Sequence, residues 1–136
     1  MISNSPAETS KIAVDLSGTL RPKDVIVLFG DLGAGKTTFI KGLCQGLGIK
    51  NNVTSPSFII INKYCGGRIP FYHVDLYRLD NEPDICDIGV DSLFDEEAIV
   101  AVEWGQRLGS MLPKNYIQVK INYIDESKRQ IEINRI

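Results

Sequence analysis

Val25-Ile-Val-Leu-Phe-Gly30-Asp-Leu-Gly-Ala-Gly-Lys-Thr-Thr38 is the stretch that decides how this chain reads. Its first five residues are apolar and mostly β-branched, the pattern of a strand buried on both faces of a sheet. The next residues meet the pattern G-x-x-x-x-G-K-[ST] with Gly30, Gly35, Lys36 and Thr37. Phe39, Ile40, Leu43 and Leu47 then fall on one helical stripe, which should stop near Gly46 or Gly48. A buried strand leading in and an amphipathic helix leading out are the context in which this pattern is a phosphate-binding loop. Glycines let the backbone wrap a phosphate with its N–H groups, and the helix N-terminus adds a positive partial charge. The phosphates then lie against Asp31, Leu32, Gly33, Ala34 and Gly35, with Lys36 reaching the β- and γ-positions. Thr37 offers its hydroxyl to Mg2+, and Thr38 touches the α-phosphate. The bland alternative is a glycine-rich turn that ends in a solvated lysine.

Outward from the loop, residues 9–20 read as a first helix capped by Thr9 or Ser10, with Ile12, Ala13, Leu16 and Leu20 on one face. Downstream, 51–57 are loop-like and 58–64 read as a strand. Gly66-Gly67 turns the chain, and 69–76 make a further strand that carries His73 and Asp75. Residues 81–95 are polar with short helical pieces, and Ile99-Val-Ala-Val runs into Glu103-Trp104. Near the C-terminus Ile117, Val119, Ile121 and Tyr123 alternate with polar residues. After a turn at 125–128, Ile131 and Ile133 resume the alternation, which makes a hairpin with one wet face. The expected architecture is α/β: a P-loop NTPase-like three-layer domain over 1–136, with a central mixed sheet and a C-terminal β-hairpin.

A length of 136 residues suits one domain, and 43% hydrophobic with 24% charged content is ordinary for a globular chain. The formal charge of −2 gives no general attraction to nucleic acid or anionic lipid. DNA and membrane are therefore not expected partners, and any RNA would be gripped mainly by another subunit. Residues 1–10 lack the basic and apolar regions of a signal peptide, and no apolar stretch near the N-terminus would span a bilayer. Cys44, Cys65 and Cys86 are odd in number and widely spaced, which fits free thiols in a reducing, cytoplasmic setting better than zinc or disulfides.

A phosphate loop binds a nucleotide without specifying chemistry. Phosphoryl transfer also needs a metal-holding group and something to orient the attacking oxygen. Asp75 in His73-Val-Asp-Leu-Tyr-Arg78 and Glu103 in Val100-Ala-Val-Glu-Trp104 close apolar strands, where an open α/β sheet places its ligand. Glu103 resembles a Walker B acid that holds Mg2+ directly or through water, while Asp75 orients water or acts as a base. Lys36 and Asp75 are thus the candidate catalytic residues. Either acid could instead be a strand-end carboxylate paired with Arg78 or Arg107. In Val53-Thr-Ser-Pro-Ser-Phe58, the hydroxyls of Thr54, Ser55 and Ser57 suit a switch loop that senses the γ-phosphate, or a proline-set turn bonded to itself. His73 reads as a packed strand histidine, Trp104 as filler at the core edge, and Lys128 and Arg129 as solvated charge at a hairpin tip.

Guanine selectivity is unsupported. Asn62-Lys63-Tyr64-Cys65 begins like N-K-x-D but lacks the acid, and the D-x-x-G match, Asp15 to Gly18, precedes the loop. The arginines are scattered and no segment is long enough for a lid, so a small-molecule kinase is a secondary reading. A nucleotide-binding interaction module without turnover is another.

The four motifs in this order, from the phosphate loop through 53–58 and 73–78 to Val102-Glu-Trp104, resemble the TsaE family, also called YjeE. These are the P-loop ATPases of bacterial tRNA threonylcarbamoyladenosine (t6A) biosynthesis. The resemblance implies ATP and Mg2+ as cofactors, Thr37 and Glu103 as Mg2+ ligands, and Asp75 as the family's acid in HxDxYR. It also implies a switch-like loop at Thr54, Ser55 and Ser57. Family members are weak ATPases alone and associate with the TsaB–TsaD heterodimer. That heterodimer transfers the threonylcarbamoyl group to N6 of adenosine 37 of ANN-decoding tRNAs, so tRNA is met indirectly. Ser57 stands where the family usually has Thr, and Gly105 where Pro is frequent, a change expected to loosen that turn.

Overall fold

The structure, a computed structural model, describes residues 1–30, 34–50 and 60–136. In chain order these form β1 (Ile2–Ser3), α1 (Pro6–Ser17), β2 (Val25–Phe29), α2 (Lys36–Gly46), β3 (Ile61–Tyr64) and β4 (Phe71–Asp75). Then come α3 (Glu82–Asp87), α4 (Val90–Leu93), β5 (Ile99–Glu103), a 3-10 segment (Gly105–Met111), β6 (Ile117–Tyr123) and β7 (Arg129–Arg135). The seven strands among the described residues build one mixed sheet in the order β1-β7-β6-β2-β5-β4-β3. Its centre is parallel: β2 lies between β6 and β5, and β4 follows β5. The edges turn antiparallel through the β6–β7 hairpin, β1 on β7, and β3 on β4.

Three layers follow from the alternation of side chains. Ile26, Leu28, Phe71, Ile99, Ala101, Val119 and Ile121 point to one face, where Ala13, Phe39, Ile40 and Leu43 of α1 and α2 cover them. Val25, Val27, Tyr72, Val74, Val100 and Val102 point to the other, covered by Ile85, Val90 and Leu108 of α3, α4 and the 3-10 segment. Central strands covered on both sides must be apolar at every position, which is why β2 and β5 read as unbroken apolar runs. The stripe of α2, its end at Gly46, and the hairpin all stand where the sequence places them.

Helix α1 starts earlier than expected. Its cap is Ser5, whose Oγ accepts the Glu8 N–H at 3.1 Å, and Pro6 opens the first turn. Glu8 Oε2 in turn accepts the Asn4 N–H at 2.6 Å, a capping-box variant. Thr9, expected as a cap, is buried and shares a 2.7 Å hydrogen bond with Ser3. Strand β4 is trimmed at both ends relative to 69–76. It ends at Asp75 because that side chain turns back to accept the Tyr77 N–H at 3.0 Å. The first part of the expected 58–64 strand lies outside the described residues.

Gly105 does not loosen its turn. It is buried at the start of the 3-10 segment, and a Cβ there would fall 1.9 Å from Cγ1 of Val27. The missing side chain is what lets the segment sit against β2. Helices α1 and α2 also approach closely at Gly42, where a Cβ would lie 2.6 Å from the Ser10 carbonyl oxygen and 2.7 Å from Ala13 Cβ. Backbone cannot yield as a side chain can. Gly42→Val is therefore expected to cost about 2–3 kcal/mol and to lower the thermal midpoint by roughly 5–15 °C, measured by circular dichroism.

Candidate functional site

Register brings the acids together. Leu28 of β2 pairs with Glu103 of β5, and Glu103 pairs with Asp75 of β4, so three parallel strands end in adjacent rows. Alternation places Glu103 and Asp75 on the sheet face covered by α1 and α2, two residues beyond Ala101 and His73. The phosphate-loop sequence leaves β2 on that same row and enters α2. Gly30 has φ +155°, and a Cβ there would approach the Ile121 carbonyl oxygen to 2.5 Å. Gly35, the residue before α2, has φ +104°, a conformation that L side chains rarely adopt. Among the described residues no side-chain hydrogen bond caps α2, and a helix N-terminus without such a cap suits an anion.

Lys36 begins α2 and is only 5% exposed. Its ammonium donates to the Gly30 carbonyl at 2.6 Å and lies 4.1 Å from the ring centroid of Trp104. Trp104 is therefore more than filler at the core edge. It follows Glu103 with φ +61°, a left-handed conformation that costs a bulky residue roughly 1–3 kcal/mol, and its ring covers the lysine. Thr37 and Thr38 stand half-buried in the first turn of α2. Asp31, Leu32 and Gly33, and the hydroxyls of Thr54, Ser55 and Ser57, lie outside the described residues.

Glu103 is 4% exposed and does not pair with Arg78 or Arg107 among the described contacts. Its Oε2 accepts a 2.6 Å hydrogen bond from Nε2 of His73, which is fully buried. The packed strand histidine of the sequence reading is thus packed and also bonded to the acid. Asp75 is half-buried. Burial, and then the charge of Glu103, push its carboxyl above the usual range, against the Tyr77 N–H, His73 and Lys36, which pull it down. Arg107 fixes the turn behind Asp75. Its Nη1 donates to the carbonyls of Leu76 (3.1 Å), Tyr77 and Leu79 (3.3 Å), and its guanidinium lies 5.1 Å from the Trp104 ring centroid.

Arg129 overturns the expectation of solvated charge at the hairpin tip. Its Nε donates to the Ala34 carbonyl at 3.0 Å, its Nη1 to the carbonyls of Asp125 and Lys128, and it stacks 4.7 Å from the Tyr123 centroid. The hairpin tip therefore braces the phosphate loop from the side opposite the acids. On that side, the hairpin tip and the N-terminal ends of α1 and α2 enclose a cleft of about 50 Å³ lined by Ser5, Thr9, Gly35, Thr38, Glu126 and Arg129, among others. Sequence reading missed Arg107 and Arg129, and only the spacing of Arg107 behind Glu103-Trp104 offered a hint.

A cation, a helix N-terminus and hard oxygen donors within one strand-end cluster can bind a polyphosphate with a hard divalent metal. The Thr37 hydroxyl and the Glu103 carboxylate are the donor types that Mg2+ takes alongside phosphate oxygens and water. Outside this cluster, burial pushes the Cys44 thiol up to about 12, while Cys65 and Cys86 are exposed free thiols. No helix among the described residues is long and apolar enough to cross a membrane.

Comparison with known proteins is consistent across sequence and structure. The family described as "Threonylcarbamoyl adenosine biosynthesis protein TsaE" matches residues 3–131. The tRNA threonylcarbamoyladenosine biosynthesis protein TsaE of Bacillus subtilis (strain 168) is 40% identical over 132 residues, which are 97% of this chain and 82% of that protein. Its namesake in Nostoc sp. (strain PCC 7120) is 43% identical over 129 residues, 92% of this chain and 78% of that one. The crystal structure of Bacillus subtilis YdiB matches with a TM-score of 0.87 at 36% identity, covering all of this chain and 84% of that one.

Proposed function

Because the chain belongs to the TsaE family, we propose that it is a Mg2+-dependent ATPase of tRNA t6A37 modification, a single P-loop unit that acts as a cytoplasmic switch on the TsaB–TsaD threonylcarbamoyl-transferase complex. The observation that carries this reading is the row of strand ends. Glu103 and Asp75 occupy adjacent positions on the sheet face from which α2, with Lys36 in its first turn, begins.

In this reading the backbone of 31–35 and Lys36 hold the phosphates, and Thr38 touches the α-phosphate. The nucleoside runs toward the cleft between Thr38 and Arg129. Thr37 and Glu103 would hold Mg2+, which supplies charge neutralisation for the β- and γ-phosphate oxygens. Asp75 orients the attacking water and takes its proton as the bond between the γ-phosphorus and the ADP oxygen breaks. Its raised proton affinity suits it to that work. Thr54, Ser55 and Ser57 report the nucleotide state to the partner. With a net charge of −2, tRNA is left to the rest of the complex.

The test is steady-state phosphate release from Mg·ATP with and without purified TsaB–TsaD heterodimer. A slow rate alone that rises clearly with the heterodimer is expected. A rate indifferent to a saturating heterodimer would overturn the switch, and consumption of ATP only after a small acceptor is added would indicate a kinase.

A further inference from the structure

The buried pair of His73 and Glu103 goes unused in the chemistry above, although it is the shortest contact between ionisable side chains in the site. The two atoms lie 2.6 Å apart, with His73 fully buried and Glu103 4% exposed. In so dry a place a carboxylate that rotated away would leave two polar groups unpaired, so the contact holds one rotamer. The other ring nitrogen, Nδ1, is buried and has no partner among the described residues. Among the described residues the polar character of the imidazole is thus spent on Glu103. A packing role alone would be filled by an apolar ring, without the cost of an orphaned nitrogen. The register supports the same view. His73 stands opposite Ala101, two pairs behind Asp75 and Glu103 on the same sheet face, and the small alanine leaves the ring space to reach the strand end.

We infer that His73 is a positioning residue for the metal site: its Nε2–H engages Oε2 of Glu103 and so presents Oε1 to the divalent cation. The inference rests on the reading of Glu103 as a metal ligand. Hydrogen-bonding partners behind a ligand commonly set metal affinity by about 10- to 100-fold, because they remove the freedom the ligand would otherwise lose on binding. His73 touches neither nucleotide nor metal in this account, so nucleotide binding without metal is independent of it.

The measurement is Mn2+ binding to the full chain complexed with the non-hydrolysable ATP analogue AMPPNP, with protein in excess, followed by the free-Mn2+ resonance signal. His73→Phe keeps the ring volume and loses the donor, so it should weaken Mn2+ binding about 10-fold or more. AMPPNP affinity in EDTA should be unchanged. His73→Gln, whose amide nitrogen can stand near the lost Nε2, should restore most of the affinity, whereas His73→Asn, too short to reach Glu103, should not. In a Glu103→Gln background, His73→Phe should have no further effect. Unchanged Mn2+ affinity in a folded His73→Phe, or an equal loss in the Glu103→Gln background, overturns the role of His73. Should His73→Phe fail to fold, equal affinities in the Gln and Asn variants overturn it as well. Unchanged affinity in Glu103→Gln alone overturns the ligand reading itself, which separates the two failures.

Discussion

Lys36→Met is expected to lower ATP affinity about 30- to 1,000-fold, read by calorimetric titration at constant Mg2+. The magnitude follows from what surrounds the ammonium. It is 5% exposed, with the Gly30 carbonyl at 2.6 Å and the Trp104 ring face at 4.1 Å. The carbonyl and the ring are neutral groups, whereas a polyphosphate brings full negative charge into the same dry space. Charge-assisted contacts there are roughly twice as strong as neutral ones. Without the lysine, the phosphates keep Mg2+, the backbone N–H groups and the dipole of α2 but lose the buried ammonium, and the N–H groups and the dipole are each worth much less than a buried cation. Methionine preserves the length and apolar character of the stem against Trp104, so the loss reports charge rather than packing. Unchanged affinity would place the phosphates elsewhere and dissolve the assignment of the loop.

Strand β2, helix α2 and the place of Glu103 at the end of β5 were legible because each is encoded locally. A strand buried on both faces announces itself as an apolar run, and the residue that ends the run stands at the sheet's carboxyl edge whatever the topology. The start of α1 was legible and misread. Ser5-Pro6-Ala7-Glu8 is a capping box with proline in the first turn, but Thr9 and Ser10 look equally cap-like one turn on. Other features had no local signal at all. His73 meets Glu103 across 30 residues, and Arg129 meets Ala34 across 95. Such contacts depend on strand order and on where a hairpin tip comes to rest, which no periodicity records. Trp104 shows a third case. Its composition suggested core, yet a left-handed backbone turns its ring over Lys36. Strained backbone of this kind concentrates where function, rather than folding, sets the geometry.

Asp75→Asn is expected to divide activity from stability. Hydrolysis should fall about 100- to 10,000-fold, since an amide cannot take the water's proton. The nucleotide-free protein should nevertheless melt higher, by on the order of 1–2 °C, a figure kept small because the group is half exposed and solvent screens it. The sign follows from the direction of the shift. Burial and Glu103 raise the Asp75 carboxyl above its ordinary 3.8, so the folded state holds the proton more tightly than the unfolded chain does. Stability therefore falls as pH rises from that ordinary value through the raised one, and stays lower at neutral pH. Asparagine carries no charge to desolvate, and its side-chain oxygen can still accept the Tyr77 N–H that Asp75 accepts at 3.0 Å. The gain in melting temperature should shrink to nothing once the pH drops below the ordinary carboxylate range, where wild-type Asp75 is neutral too. Thermal scans of both proteins across that range, beside phosphate release at neutral pH, check both arms. A melting gain that persists at low pH would trace the effect to packing instead of charge. Undiminished hydrolysis would assign the water to another group. The two together would mean that the raised proton affinity of Asp75 is incidental to the chemistry; the expected pair means that the fold accepts an unfavourable carboxylate because a base is needed at that strand end.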